Sequence, residues 1–486
     1  MYTPTLEELK TLLVDRPGAN LVPMYREINA DMETPVSAYL KIARGPYSFL
    51  LESVEGGERR ARYSFLGTEP DHVLRTGVNT DAGPVDPLVM VEEQLSEYTY
   101  VPIEGLPRFL GGAIGYLAYE VVHYTESRVP LPEADPLGVP EALLMFTDTL
   151  LVFDHFKHVI KIVSHVRTDG DIDEAYNSAV ARIEELASRL REPIQRPEPG
   201  KHSPVEVVTN TFSNFSQDAY EEVVRRCKEY VFAGDIIQVV PSRRVARSTS
   251  ASPFDIYRSL RVLNPSPYMY FLHLDDFYIV GASPEALVRV EDGWVYNFPL
   301  AGTYPRGKNP EDDDALAVEL RNDAKEQAEH IMLVDLGRND VGRVAEPGTV
   351  EVTDLMRVVR YSHVMHLESE IKGRLRRDRT MYDALRSCLP AGTLSGAPKI
   401  RAMEIIAEME KERRGPYGGA VGYFGFQGNM DVAIPIRTIV MKEGVAYVQA
   451  GGGVVYDSDP ATEYQETVNK AAAPMRAIEQ AERNIE

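Results

Sequence analysis

Two pairs of glutamates invite chemistry: Glu326 and Glu329 in DAKEQAEH, and Glu463 and Glu466 in PATEYQET. Residues three apart share one face of a helix, with Cβ atoms roughly 5–6 Å apart. Asn309 precedes Pro310 and Asp459 precedes Pro460, so each pair follows a capping side chain and a proline suited to the first helical position. Taken singly, either pair also fits a solvated helix face. If the two faces converge, four like charges need a hard cation among them. Mg²⁺ suits oxygen-only ligation shared with an anionic substrate.

Other residues supply what such a site would need. Arg437 interrupts the apolar run DVAIPIRTIVM, and a charge there demands a partner. Gly451, Gly452 and Gly453 allow a backbone turn whose N–H groups approach an anion closely. With Arg437 they would make a carboxylate clamp; a structural ion pair and a tight turn are the alternative. Tyr417 in RGPYGGAVG is either a phenol donor to the same carboxylate or a packed core ring. His363 and His366 in YSHVMHLES point to opposite faces of a strand, so one of them faces any pocket and is suited to proton transfer. Glu285 in GASPEAL follows a strand; in an apolar site its pKa rises and it becomes an acid, and otherwise it is a turn glutamate. Thr393 and Ser395 in AGTLSGAPK are candidate caps for the helix that follows. Pro299–Gly307 is a small-residue turn leading to the first glutamate helix, expected over Pro310–Val334.

The elements that must position these residues follow from periodicity. To about residue 165 the chain reads as short strands between Gly, Pro and Asp, after a helix at 5–14. Residues 172–191 carry helical spacing, and REPIQRPEPGKHSPVE has none. The expected organisation is an N-terminal α+β region 1–190, a linker 191–212 and a site-bearing region 213–486. In the last, Ser216 caps a helix to Phe232, IIQVVPSRRVAR and DVAIPIRTIVMK read as single strands, and helices enter as blocks. The fold class is α+β, with large antiparallel sheets covered by helices. A net charge of −22 disfavours nucleic acid and anionic membrane as partners. Two distant cysteines, no signal-like N-terminus and no long apolar run predict a cytoplasmic protein.

Taken together, GDIIQVV, NPSPYMYF, GASPEAL, PLAGTYPRG, KEQAEHIMLVDLGRND, SHVMHLES, AGTLSGAPK, AGGGVVYDSDPATEYQET and NKAAA resemble the chorismate-utilising enzyme family, and most closely its anthranilate-forming large subunits. The N-terminal YSFLLESV, RYSFLG and GGAIGYLAYE match more loosely, in the expected order. The resemblance implies a four-layer αββα fold. It implies Mg²⁺ on Glu326, Glu329, Glu463 and Glu466, holding the ring carboxylate of chorismate with Lys470 nearby. Tyr417, Arg437 and the Gly452–Gly453 backbone match the residues that hold the enolpyruvyl carboxylate, and Gly302, Thr303 and Thr393 line the ring pocket. Glu285 matches the acid for the departing hydroxyl, and His366 the histidine of pyruvate loss. Ala301 and Gln238 stand where other branches carry a lysine, one as nucleophile and one to activate water. Their absence implies ammonia as nucleophile, supplied by a separate glutamine amidotransferase subunit in a heterotetramer of two large and two small subunits. Leu51, Glu52, Ser53, Pro267, Tyr268 and Met269 match a tryptophan feedback site, with Glu52 suited to the amino group. Pro241 departs from the family pattern and removes a ladder N–H near Gln238.

Overall fold

Where the sequence alternates or runs apolar between glycines and prolines, strands form, and they pair almost wholly antiparallel. A computed structural model describes residues 1–54, 62–194, 211–361 and 364–483. One sheet has 12 strands in the order Tyr2–Thr3, Leu21–Asn29, Val159–Arg167, Leu150–Asp154, Tyr63–Thr68, Tyr47–Glu52, Tyr268–Leu274, Phe277–Ser283, Thr438–Lys442, Val445–Gly451, Ser242–Ser248 and Thr211–Ser213. The other has 10, in the order Leu300–Pro305, Val364–Arg374, Trp294–Asn297, Ala286–Glu291, Met430–Ala433, Ala420–Gly425, Gly112–Leu117, Ala142–Thr147 and His72–Thr76, with Glu351–Arg360 also paired to Val364–Arg374.

Three apolar clusters define four layers. Phe49, Tyr116, Leu143, Leu272, Ile279 and Val421 pack between the sheets. Helices Pro35–Ile42, Ile172–Arg189, Pro253–Leu263 and Pro460–Arg483 bury their apolar stripes on the outer face of the 12-stranded sheet. Helices Pro87–Ser96, Ala324–Gly342 and Met381–Cys388 cover the other. The αββα arrangement is the one expected. Both sheets draw strands from both sides of the proline-rich segment, so regions 1–190 and 213–486 share their sheets and all three of their main cores.

Three local readings change. The expected Pro310–Val334 helix is two helices, Pro310–Asn322 and Ala324–Gly342. Asp323 turns out of helical geometry and accepts from the N–H groups of Lys325 and Glu326, so it starts the second helix. The run DVAIPIRTIVMK divides into Met430–Ala433 in one sheet and Thr438–Lys442 in the other, with Arg437 at the crossing at φ 50°. IIQVVPSRRVAR also divides: Gln238–Val239 pairs with Gly396–Ala397, and a new strand begins after Pro241, which has no N–H to continue a ladder.

Candidate functional site

The chain passes from one sheet to the other at several places, two of them neighbours, Ser283 to Ala286 and Ala433 to Thr438. Glu285 occupies the first crossing and Arg437 the second. The crossings are tied by hydrogen bonds from Ile434 N to Glu285 O at 3.1 Å and from Ala282 N to Arg437 O at 3.3 Å. Backbone leaving a ladder can aim side chains along the gap between layers, which a regular strand cannot do.

Glu285 is buried, and burial raises its carboxyl to about 8, against the opposing pull of the Thr393 hydrogen bond and the Lys470 and Arg437 charges. Thr393 Oγ1 donates to Glu285 Oε1 at 3.1 Å. Thr393 therefore does not cap the following helix, and neither does Ser395, whose hydroxyl bonds Ala391 O at 2.8 Å. At neutral pH Glu285 is a carboxylic acid with a proton to give.

His366 has the complementary state. Its Nδ1 donates to the Gly302 carbonyl at 2.6 Å, with Thr303 Oγ1 at 3.2 Å from the same nitrogen. The proton is thereby held on Nδ1. Nε2 is buried with no partner among the described residues. Burial lowers the ring to about 4, the Gly302 bond opposes this, and the Arg437 and Lys470 charges add to it. His366 is thus a neutral imidazole with a bare basic nitrogen. His363 lies outside the described residues.

Gly302 joins His366 to the first glutamate pair. It adopts φ 68°, and a Cβ there would lie 3.0 Å from Glu326 Oε2. Burial and then Glu329 raise the Glu326 carboxyl, with a contribution from Glu466 on the other helix. The two acidic faces therefore lie within electrostatic reach. On the second helix Asp459 Oδ1 accepts from Thr462 N at 2.9 Å, as its capping position predicts. Lys470 Nζ bonds Glu466 Oε1 at 2.7 Å and Gly451 O at 2.9 Å.

Glu463 is buried, and its Oε2 accepts from no group among the described residues. Burial raises it to about 7, with Glu466 adding to the rise. Among the described residues no three His, Cys, Asp or Glu side chains are close enough to form a ready metal cage. The donor set is carboxylate-only and includes one orphaned buried oxygen. Such donors fit a hard divalent cation, which commonly completes its shell with water and substrate oxygens.

The glycine run is held by close approach. A Cβ on Gly452 would sit 2.7 Å from Glu463 Oε2, and one on Gly453 2.5 Å from Gln238 Nε2. The turn offers fewer free donors than expected, because Gly452 N already bonds Pro241 O at 3.3 Å. Gly453 N–H donates to no group among the described residues. The buried Tyr417 hydroxyl lies 3.0 Å from where a Gly451 Cβ would stand. Burial holds that phenol protonated, as a donor. The Arg437 guanidinium is half-buried and forms no ion pair among the described residues. A cation so placed is an open seat for a carboxylate.

A second cavity, of about 440 Å³, lies between the sheets and is lined by Leu51, Glu52, Ser53, Pro267, Tyr268 and Met269 together. Glu52, however, is already engaged: Arg261 holds it through Nε at 2.9 Å and Nη2 at 3.1 Å, and the Tyr257 hydroxyl donates to it. The cavity wall also carries a cluster that sequence reasoning missed. Asp431 is paired with Arg108 at 2.9 Å and Arg289 at 3.2 Å, and accepts from the Tyr268 hydroxyl at 3.1 Å. Arg289 and Asp431 are register partners on adjacent strands. Arg289 in VRVE and Asp431 in MDVA, charged positions in largely apolar strands, were the available signal.

An acid, a base, two cationic groups and carboxylate pairs on two helices that cover two antiparallel sheets define a class, and similarity agrees with it. The chorismate binding enzyme profile matches residues 47–476, and the chain belongs to that family. It is 50% identical to anthranilate synthase component 1 of Pseudomonas aeruginosa, covering 99% of both chains. It is 48% identical to the probable anthranilate synthase component 1 of Schizosaccharomyces pombe, covering 99% of this chain and 97% of that one. The solved anthranilate synthase component I of Streptococcus pneumoniae superposes with a TM-score of 0.75 at 38% identity, over 92% of this chain and 99% of that one. A menaquinone-specific isochorismate synthase of Escherichia coli shares the fold with a TM-score of 0.71 at 19% identity, over 98% and 99% of the two chains.

Proposed function

We propose that this chain is the chorismate-binding component of an anthranilate synthase, a lyase that aminates chorismate at C2 with ammonia and then eliminates pyruvate. The observation that carries the reading is the opposed protonation of two buried groups: Glu285 keeps its proton to about pH 8, while His366 keeps a bare nitrogen down to about pH 4. A reaction that first protonates a leaving hydroxyl and later removes a ring proton needs this pairing.

Arg437, Tyr417 and Gly453 N–H receive the enolpyruvyl carboxylate. Lys470 takes the ring carboxylate, and Glu326, Glu329, Glu463 and Glu466 would hold Mg²⁺ beside it. When bound, Mg²⁺ offsets the carboxylate charge that the four glutamates would otherwise repel. Gly302, Thr303, Gln238 and Gly451 line the space between, and anchors at two ends orient the ring. Ammonia forms the new bond at C2 while the C4–O bond breaks, and Glu285 protonates the departing hydroxyl to water. Thr393 orients that carboxyl. His366 Nε2 then takes the C2 proton, the bond between the ring carbon and the enolpyruvyl oxygen breaks, the departing enolpyruvate gains a proton at its methylene carbon to become pyruvate, and the ring becomes aromatic. With Ala301 and Gln238 at the two discriminating positions, neither covalent amine catalysis nor lysine-activated water has its nucleophile.

The component 1 names of the relatives imply a second component. The reading assigns it as a glutamine amidotransferase that delivers ammonia, in a heterotetramer of two subunits of each kind. The 440 Å³ cavity is the proposed tryptophan feedback site, with its ring between Tyr268 and Met269. Arg261 and Tyr257 occupy both oxygens of Glu52, so its pairing with the ligand's amine, as the resemblance implies, would require that carboxylate to exchange partners. Among the described residues no helix is long and apolar enough to cross a membrane. The proposed location is the cytoplasm.

The test is purified chain with chorismate, Mg²⁺ and ammonium at alkaline pH. Anthranilate fluorescence with one pyruvate per anthranilate is expected. A non-aromatic amino product without pyruvate would assign the chain to aminodeoxychorismate synthesis. No turnover would leave a tryptophan-binding regulatory subunit.

A further inference from the structure

His330 is fully buried, polar and unused by the chemistry above. It lies on helix Ala324–Gly342, four residues after Glu326 and therefore on the same helical face. Its Nε2 is 2.6 Å from Ser369 Oγ. Ser369 belongs to strand Val364–Arg374, three residues beyond His366. Met356 N donates to the same Oγ at 3.0 Å, so the hydroxyl proton is directed to His330 Nε2. The bond therefore joins the helix that carries Glu326 and Glu329 to the strand that carries His366. Tyr304 also donates to the cap residue Asp323 at 3.0 Å and Lys399 to Asp340 at 2.7 Å, at the two ends of the helix, and His330 is the buried polar contact between them. Within it Leu333, Val334 and Val341 are buried apolar groups, and apolar contacts are non-directional. A directional hydrogen bond in the dry interior is stronger than in water and specifies one arrangement.

We propose that His330 is a positioning residue: through Ser369 it fixes the Glu326–Glu329 pair at the level of His366, and so sets the affinity of the site for its divalent cation. The proposal rests on the metal-binding reading of the glutamates. Supporting groups behind metal ligands commonly change affinity about 10- to 100-fold. Gly302, on the strand paired with that of His366, also lies between the two elements: its carbonyl accepts from His366 Nδ1, and a Cβ there would meet Glu326 Oε2.

The experiment titrates Mg²⁺ by calorimetry into the full chain with chorismate present and ammonium absent, and records the thermal midpoint of each variant. His330→Leu and Ser369→Ala should each weaken Mg²⁺ binding about 10-fold or more. His330→Gln, whose Oε1 can accept from the Ser369 hydroxyl in place of Nε2, should stay within about 3-fold of wild type. The His330→Leu/Ser369→Ala double variant should bind no more weakly than the weaker single variant. Variants that lower the thermal midpoint but bind Mg²⁺ as wild type does would overturn the proposal, leaving His330 a packing residue. Additive losses in the double variant would overturn it too. A wild-type chain that takes up no Mg²⁺ would instead overturn the metal reading beneath it.

Discussion

Glu285→Gln tests the acid role and its physical cause together. Burial moves this carboxyl from 4.5 to about 8. At about 1.4 kcal/mol per unit, that shift is about 5 kcal/mol of preference for the protonated form. The sign follows from proton counting. Between the two values the native chain holds a proton that the unfolded chain has released, so native stability falls as pH rises through the window and levels off above about 8. Glutamine keeps the shape and a hydrogen bond to Thr393 but cannot titrate or protonate a leaving group. Three results are expected. Chorismate consumption should slow about 10²- to 10⁴-fold, the usual worth of general acid catalysis, with a smaller change in KM. The alkaline fall of wild-type kcat/KM near pH 8, measured at constant free ammonia, should vanish from the residual rate of the variant. The wild-type loss of thermal stability from acid to neutral pH should flatten in the variant. A variant that retains the same alkaline limb would refute the argument, since another group would then be titrating. The dianionic substrate should push the limb of kcat to higher pH than that of kcat/KM, because added negative charge further disfavours the carboxylate.

His366→Met removes the basic Nε2; pyruvate release should slow about 10²- to 10⁴-fold while an amino intermediate accumulates, which chromatography of quenched reactions would detect. Equal loss of both steps would count against the late role. Gly302→Ala strains a left-handed residue by roughly 1–2 kcal/mol and presses a methyl against Glu326 Oε2 at 3.0 Å. It should lower both thermal stability and the response of turnover to Mg²⁺, and a variant that loses stability alone would separate Gly302 from the metal site. Ser53→Leu places a branched apolar side chain on the wall of the 440 Å³ cavity. Tryptophan inhibition should be relieved with basal kcat unchanged, and an unaltered inhibition curve would put the regulatory site elsewhere.

Much of the site was legible in sequence because its chemistry is carried by residue type and short spacing. The three-residue spacing of Glu463 and Glu466 places both on one face whatever the helix packs against, and Asp459 caps that helix by a local bond. The helical break at Asp323 was missed because periodicity continues through it; the side chain of Asp323 rewards a new start over a continuous helix. Arg437 was read as a charge within a strand. Its backbone in fact leaves the ladder, and no local pattern distinguishes a strand from two strands in different sheets. Arg289 and Asp431 escaped notice because they meet only through strand pairing, more than a hundred residues apart in the chain.

The amino-acid sequence alone determined the α+β class, the acidic helix start at Asp459 and, through ordered motifs, the family with the layers it implies, since these follow from periodicity, capping chemistry and motif order. Only the tertiary structure decided the ionisation of the key groups. Glu285 is an acid and His366 a base because burial removes water from both, while the Lys470 and Arg437 charges add to the effect on His366 and oppose it on Glu285. Those terms depend on distance and burial, and neither is written in the order of residues along the chain.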